Sequence, residues 1–251
     1  MNRSYSTPAI ILKNYRIADI HKGVVMLSRD DGLVHAIAHG AYSHRGKLRG
    51  TTNFLCAGTA YLYANPIRST IKLTDMDVSS YFSGIREDIN RFYTASLWAE
   101  SIVKTQALGG ESDRLHALLI DALTELDTRP GSAAELLNIH FIWRFLLIGG
   151  MQPDLVHCAA TGEFLAEGEP IYYSPGDNGF CSRSNAHDQM IVWQPGTAAF
   201  MRHAGTLPFA DALRVRPPDG APARIKRVLY AVLLELVDAP LNSLTTGAGI
   251  L

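Results

Sequence analysis

An α+β fold is predicted for this chain of 251 residues. An all-β segment over residues 1–80 precedes a helical body over 81–251, which carries an irregular lobe at about 152–190. Three observations carry this reading. Short apolar runs parted by turn dipeptides fill the first eighty residues, the mark of a small sheet. Apolar spacing then changes to the three-and-four pattern of amphipathic helices. Residues 151–187 lose any period and fill with Gly, Pro, Ser and Asn.

Ala9-Ile10-Ile11-Leu12 is the first strand and Val24-Val25-Met26-Leu27 the second. Asp30-Asp31-Gly32 makes a hairpin turn of the Asp-Gly type, with residues 33–38 as the partner strand. Residues 54–63 and 69–73 supply two more, around the turn dipeptide Asn65-Pro66. Five short strands in this length suit a closed β-barrel of the OB type, since closure leaves no unpaired edge.

Ile85, Ile89, Phe92, Tyr93, Leu97, Ile102 and Val103 share one helical face over about 83–105, and Gly109-Gly110 breaks it. Leu115, Leu118, Leu119, Ala122, Leu123 and Leu126 mark a second helix, ended by Arg129-Pro130-Gly131. Ser132 and Glu135 have capping-box spacing and open a third helix running to about Leu147. That helix is apolar around most of its circumference, as the buried centre of a bundle is. Residues 207–213 suggest a short helix. Residues 223–236 form the last one, striped by Ile225, Val228, Leu229, Val232 and Leu233.

Composition narrows the function classes. The content is 47% hydrophobic and 19% charged, which fits a soluble globular protein. No apolar run approaches the roughly 18 residues of a membrane span, so no membrane partner is expected. The start, Met1-Asn2-Arg3-Ser4-Tyr5, has no apolar signal region. Three cysteines, Cys56, Cys158 and Cys181, are too few for a disulfide framework. A reducing, cytoplasmic location is the expectation.

The formal net charge of −1 hides an asymmetry. Residues 1–80 hold ten Lys/Arg against five Asp/Glu, and residues 202–227 hold six against two. Between them, residues 81–201 hold seven against fifteen. Phosphate binding follows local potential, so the basic segments matter more than the total. Catalytic signatures are missing. There is no nucleophile elbow, no phosphate-cradling glycine loop, no dinucleotide fingerprint and no H-E-x-x-H. Asp75 and Asp77, like Asp30 and Asp31, have the placement of turn-formers. No enzyme activity is expected.

The candidate binding residues cluster in Gly40-Ala41-Tyr42-Ser43-His44-Arg45-Gly46-Lys47-Leu48-Arg49-Gly50. Arg45, Lys47 and Arg49 alternate along what reads as an extended loop, so that their side chains would project to one side and contact phosphates. Tyr42 or His44 could stack a base. Lys13, Arg16, His21 and Lys22 would extend the groove, and Arg68 and Lys72 bracket the last barrel hairpin. Arg214, Arg216, Arg224, Lys226 and Arg227 form a second basic segment, where Arg224 and Arg227 share a helix face at i, i+3. These residues could equally be solvated surface.

Cys158 and Cys181 each look like half of a C-x-x-C knuckle, with Thr161 and Ser184 where second cysteines would stand. Hydroxyls replace thiolates poorly on zinc. His157 and His187 could complete a Cys2His2 set, but His157 adjoins Cys158 in the chain, and neighbours rarely both reach one ion. No cofactor and no metal are expected.

Four passages in order resemble the bacterial recombination mediator family RecO. They are Ala9-Ile10-Ile11-Leu12-Lys13-Asn14-Tyr15-Arg16-Ile17-Ala18-Asp19, the basic loop 38–50, Trp143-Arg144-Phe145-Leu146-Leu147-Ile148-Gly149-Gly150-Met151-Gln152-Pro153-Asp154-Leu155, and Pro240-Leu241-Asn242-Ser243-Leu244. The resemblance spans nearly the whole chain, and its specificity lies in the ordered set. It implies an OB barrel, a helical body and a zinc-knuckle-like lobe, from which this chain departs at Thr161 and Ser184. It implies binding of single- and double-stranded DNA and annealing of complementary strands. It also implies partnership with RecR and the C-terminal tail of the single-stranded-DNA-binding protein, an indirect part in loading RecA, and a place at the nucleoid. A protein-interaction module with incidental cations is the alternative. A hydrolase or nuclease using Asp75, Asp77 or a histidine is a third.

Overall fold

The computed structural model describes residues 3–44, 46–65, 67, 69–247, 249 and 251. Five strands, β1 (Ser4–Ile17), β2 (His21–Ser28), β3 (Gly32–Ala38), β4 (Ala57–Asn65) and β5 (Thr70–Ser80), close a barrel in the order β1-β2-β3-β5-β4. All neighbours are antiparallel except β3 and β5, which pair in parallel over Ala36–Ala38. The expected OB-type barrel is therefore present. Inside lie Ile11, Val24, Met26, Val34, Ala60, Leu62, Leu73 and Met76, which follow the two-residue alternation of a sheet except between Leu73 and Met76, where the β4–β5 register shifts.

Local chemistry fixes the corners. At the Asp30-Asp31-Gly32 turn, Ser28 Oγ accepts from the backbone N–H groups of Asp30 and Asp31, and Gly32 supplies the positive φ of 70°. A bulge at Ile11/Lys13 interrupts β1, and there Ile11 exchanges backbone bonds with Leu55 and Cys56 instead. Those bonds pull the end of the β3–β4 connection against the barrel.

Contacts divide the chain into compact units at 1–127 and 128–251, beyond the barrel–helix junction near residue 80. The first unit thus keeps α1 (Ile89–Lys104) and most of α2 (Ser112–Thr128) with the barrel. The segment expected as one helix from 83 is split. A 3-10 turn over Ser83–Glu87 comes first, and Asp88 then caps α1 by accepting from Asn90 N and Arg91 N.

In the second unit, α3 (Ala134–Ile148) packs on α6 (Ala221–Val237). Also present are α4 (Pro195–Thr206), α5 (Phe209–Ala212), α7 (Asn242–Thr246) and a small sheet of β7 (Gly179–Cys181), β6 (Ile171–Ser174) and β8 (Ile191–Trp193). The capping box expected at Ser132 does not form. Ala133 is the N-cap without a side-chain bond, and Glu135 pairs with Lys226 at 2.7 Å instead. The ion pair across to α6 takes the carboxylate that the cap would have used. Arg144 donates from Nη2 to Leu207 O at 2.8 Å and lies over the Phe209 ring, which ties α3 to α5.

One buried group gives this unit an acid limit. His140 on α3 is 0% exposed, and its pKa falls to about 4 because burial opposes charging and the Arg144 guanidinium repels a second cation. An unfolded histidine titrates near 6.5, so between those values protons bind the unfolded chain preferentially. Stability is full above about pH 6.5, declines as pH falls toward about 4 and then levels, a loss of at most about 3 kcal/mol. Urea melts at pH 7 and pH 4.5 should therefore show a larger drop for the wild type than for His140→Phe.

Candidate nucleic-acid interface

The connection between β3 and β4 carries the densest group of predicted site residues, but it is coiled and not extended. Gly40 has φ 68°, and N–H donations from Ser43 to Gly40, Gly46 to Ser43 and Arg49 to Gly46 wind it into successive turns. Lys47 and Arg49 therefore do not follow the extended alternation expected of them. Ala41 and Leu48, 0% and 5% exposed, join the barrel core and make the segment a plug at one barrel end. The turns wind because Gly46 packs on Gly40, where a Cβ on Gly46 would fall 2.2 Å from Gly40 O.

The candidates on this plug have separate fates. Lys22 is 3% exposed, and its ammonium donates to Thr52 O and Asn53 Oδ1. Burial lowers its pKa, against the opposing influence of Cys56. Lys22 is a clamp under the plug and is not open to a ligand, which corrects its placement in the groove. Tyr42 is 38% exposed, with the Arg16 guanidinium 5.3 Å and the Lys22 ammonium 5.1 Å from its ring centroid. Arg16 also donates to Asp19 O. Lys47 is exposed but bonded to Asp75, with Asp77 nearby, and this pairing holds its pKa above the usual lysine value. His44 and Arg49 are exposed. Arg45 and Arg68 lie outside the described residues.

A second surface joins Lys13, His21 and Lys72, which the sequence had named, to Tyr15, Gly23 and His35, whose part in it the sequence reading missed. Cross-strand register places Lys13, Val25 and His35 in one row of the outer face of β1–β3, and Tyr15, Gly23 and Ile37 in the next. The Tyr15 ring lies flat over Gly23, where an added Cβ would fall 2.3 Å from Tyr15 Cζ. Only glycine leaves room for that ring. Tyr5, Tyr15, Ile17, His35, Ile37 and Ile71 line a cleft of about 560 Å³, with the Asp31 carboxylate also in its wall. Lys72 sits opposite Ile37 in register and close to His39. The pKa of His39 is depressed by burial, then by the His21 and Lys72 charges. His21 and His39 meet edge to face at 4.7 Å, and His21 Nδ1 accepts from Gly40 N. An apolar, aromatic floor with lysines beside it can stack bases and neutralise phosphates. The signal available in the sequence was the spacing Lys13-x-Tyr15 against Gly23, legible only once register is known.

In the second unit the basic segment is largely occupied. Arg214 pairs with Asp211 at 3.2 Å and Lys226 with Glu135 at 2.7 Å. Arg224 is half-buried and donates from Nη1 to Gly220 O, while Arg227 is exposed. The expected common face of Arg224 and Arg227 is thus uneven, since one guanidinium folds back on its own helix start.

The irregular lobe holds two buried thiols, Cys158 and Cys181. Among the described residues no three His, Cys, Asp or Glu side chains converge on one point. Ser184 Oγ bonds Ser182 Oγ, and His157 Nδ1 bonds Asp154 Oδ2 at 2.7 Å. Two thiols without further soft donors do not fit tetrahedral zinc. Cys158 is unusual in another way. Burial raises its pKa, but N–H groups of Ser182, Thr161 and Ala160 and the Thr161 hydroxyl outweigh that and bring it to about 6.

Comparison with known proteins bears on both units. Residues 1–82 match the family described as recombination protein O N terminal, and residues 86–245 the one described as recombination protein O C terminal. A "DNA repair protein RecO" of Rubrobacter xylanophilus is 27% identical over 248 residues, covering 98% of this chain and 96% of that protein. Its namesake in Heliobacterium modesticaldum is 28% identical, covering 94% and 84%. The namesake in Gloeobacter violaceus is 25% identical over 159 residues, so that the match spans only 60% of that relative's length.

Proposed function

This chain belongs to the recombination protein O family, and from that premise we propose that it is a DNA-binding mediator of recombinational DNA repair. It binds single strands across the outer face of β1–β3 and brings complementary strands together without covalent chemistry. The observation that carries this reading is the face on which Tyr15 lies over Gly23, with His35 lining the adjoining cleft and Lys13 and Lys72 at neighbouring register positions. Every base has a π-face, so a stacking floor accepts any sequence. Two polyanionic strands repel one another, and a cationic rim that screens both lowers the barrier to pairing. RecR, the tail of the single-stranded-DNA-binding protein and, indirectly, RecA belong to the same proposal as partners, and the cytoplasm as its location. Among the described residues, no helix is long and apolar enough to cross a membrane.

Fluorescence anisotropy with a labelled oligonucleotide tests the binding. About four phosphate contacts predict affinity falling by tens of fold between 50 and 200 mM salt, since each contact on a single strand adds about 0.7 to the log–log slope. Labelled complementary strands should also anneal faster with the protein, equally with and without EDTA, and remain intact. No complex at low salt would reject the reading in favour of a protein-interaction module. Metal-dependent shortening of the strands would point to the hydrolase.

A further inference from the structure

DNA binding makes no use of the two thiols of the irregular lobe. Cys158 and Cys181 are 2% and 0% exposed. Ala159 N donates to Phe180 O at 2.8 Å, which stitches the backbone after Cys158 to the residue before Cys181. Gly179 lets the two segments close, because a Cβ there would fall 2.5 Å from Ala159 Cβ. The stitched backbone brings the two thiols near enough for Cys158 to influence the titration of Cys181. Around Cys158 Sγ gather N–H groups of Ala160, Thr161 and Ser182, the Thr161 hydroxyl and, at 3.7 Å, Asn185 Nδ2. Buried structural cysteines sit among apolar atoms and stay inert, whereas donors converging on a sulfur favour the anion. The third cysteine, Cys56, is in the barrel core, with Gly50 O 3.7 Å from its Sγ.

We propose that Cys158 and Cys181 form a reversible dithiol–disulfide pair whose oxidant is hydrogen peroxide. The Cys158 thiolate attacks one peroxide oxygen, the O–O bond breaks and hydroxide leaves, so Cys158 becomes a sulfenic acid. The Cys181 sulfur then attacks Cys158. An S–S bond forms, the S–O bond breaks and the departing hydroxide takes the Cys181 proton as water. Two thiols lose two electrons and the peroxide is reduced to two waters, and a small dithiol reverses the change. The directions of the two pKa shifts agree with these roles. Cys158 is drawn toward the thiolate, whereas burial first, and then the neighbouring Cys158, keep Cys181 protonated. The disulfide would staple the Cys158 loop to β7, the join that hydrogen bonds alone make in the reduced protein.

Intact wild-type protein is treated with hydrogen peroxide, quenched, denatured and labelled with a maleimide. Two of the three thiols should be lost, with an intact mass lower by two hydrogens and a cross-linked Cys158–Cys181 peptide after digestion. Dithiothreitol should restore all the label. In Cys181→Ser the reaction should stop at a sulfenic acid on Cys158 that dimedone traps. Full labelling after peroxide, as an inert buried pair would give, overturns the proposal. So does a cross-link that contains Cys56.

Discussion

The triple variant Lys13→Ala/Tyr15→Ala/Lys72→Ala is expected to bind single-stranded oligonucleotide on the order of 100-fold more weakly at low salt. Removing Tyr15 takes away a stacking surface worth ~1–3 kcal/mol per base. Removing two lysines takes away two counterion-releasing contacts, so the log–log salt slope should flatten by about 1.4. Lys13 and Tyr15 are exposed on β1 and Lys72 on β5, so their loss leaves the barrel core untouched and the circular dichroism should not change. Lys47→Ala is the contrasting variant. Its ammonium is already bonded to Asp75 with Asp77 beside it, and a phosphate would have to compete with two carboxylates for it. A small change for Lys47→Ala beside a large one for the triple variant places the strand on the β1–β3 face. The reverse result would move it to the plug.

Why one surface was legible and the other not follows from what sequence encodes. Strands and helices announce themselves through period and punctuation, and the barrel, α2, α3, α6 and the Asp30-Asp31-Gly32 turn lie near where those signals put them, although β5 runs on to Ser80 through Asp75 and Asp77, which read as turn-formers. The glycine-punctuated cations 45–49 were conspicuous in composition, but composition says nothing about what faces them. Asp75 is remote in the chain and reaches Lys47 only through barrel closure. Lys22 reads as one more cation, yet β2 turns it inward beneath Thr52 and Asn53. Tyr15, by contrast, becomes informative through Gly23 and Ile37 on the two neighbouring strands. The helix α4 was missed because Pro195-Gly196 opens it and reads as a turn. Pro at the first helical turn forfeits only an N–H that has no intrahelical acceptor.

Gly58→Ala should damage the barrel itself more than any surface change. Gly58 lies on β4, paired with Ala9 of β1 on one side and Val78 of β5 on the other, next to the irregularity at Ala57/Gly58. A Cβ there would fall 2.0 Å from Asp77 O and 2.9 Å from both Asp77 C and Ser79 N. Those are backbone atoms of a paired strand and cannot rotate away as a side chain would. Either β5 shifts and gives up ladder bonds to β4, or the register slips, which would exchange the inner and outer faces of the strand. Overpacking of side chains costs ~1–3 kcal/mol. A collision with backbone on a closed barrel belongs to the upper tail, at about 4 kcal/mol or more. Against a whole stability of ~5–15 kcal/mol, the first unit should melt far earlier or fail to fold. Chemical denaturation of Gly58→Ala beside Gly50→Ala, where an added Cβ has open space, separates the collision from the general cost of replacing a glycine. Equal stability of the two variants would mean that β4 and β5 can part at this point without loss, and that barrel closure does not depend on the close approach at Gly58.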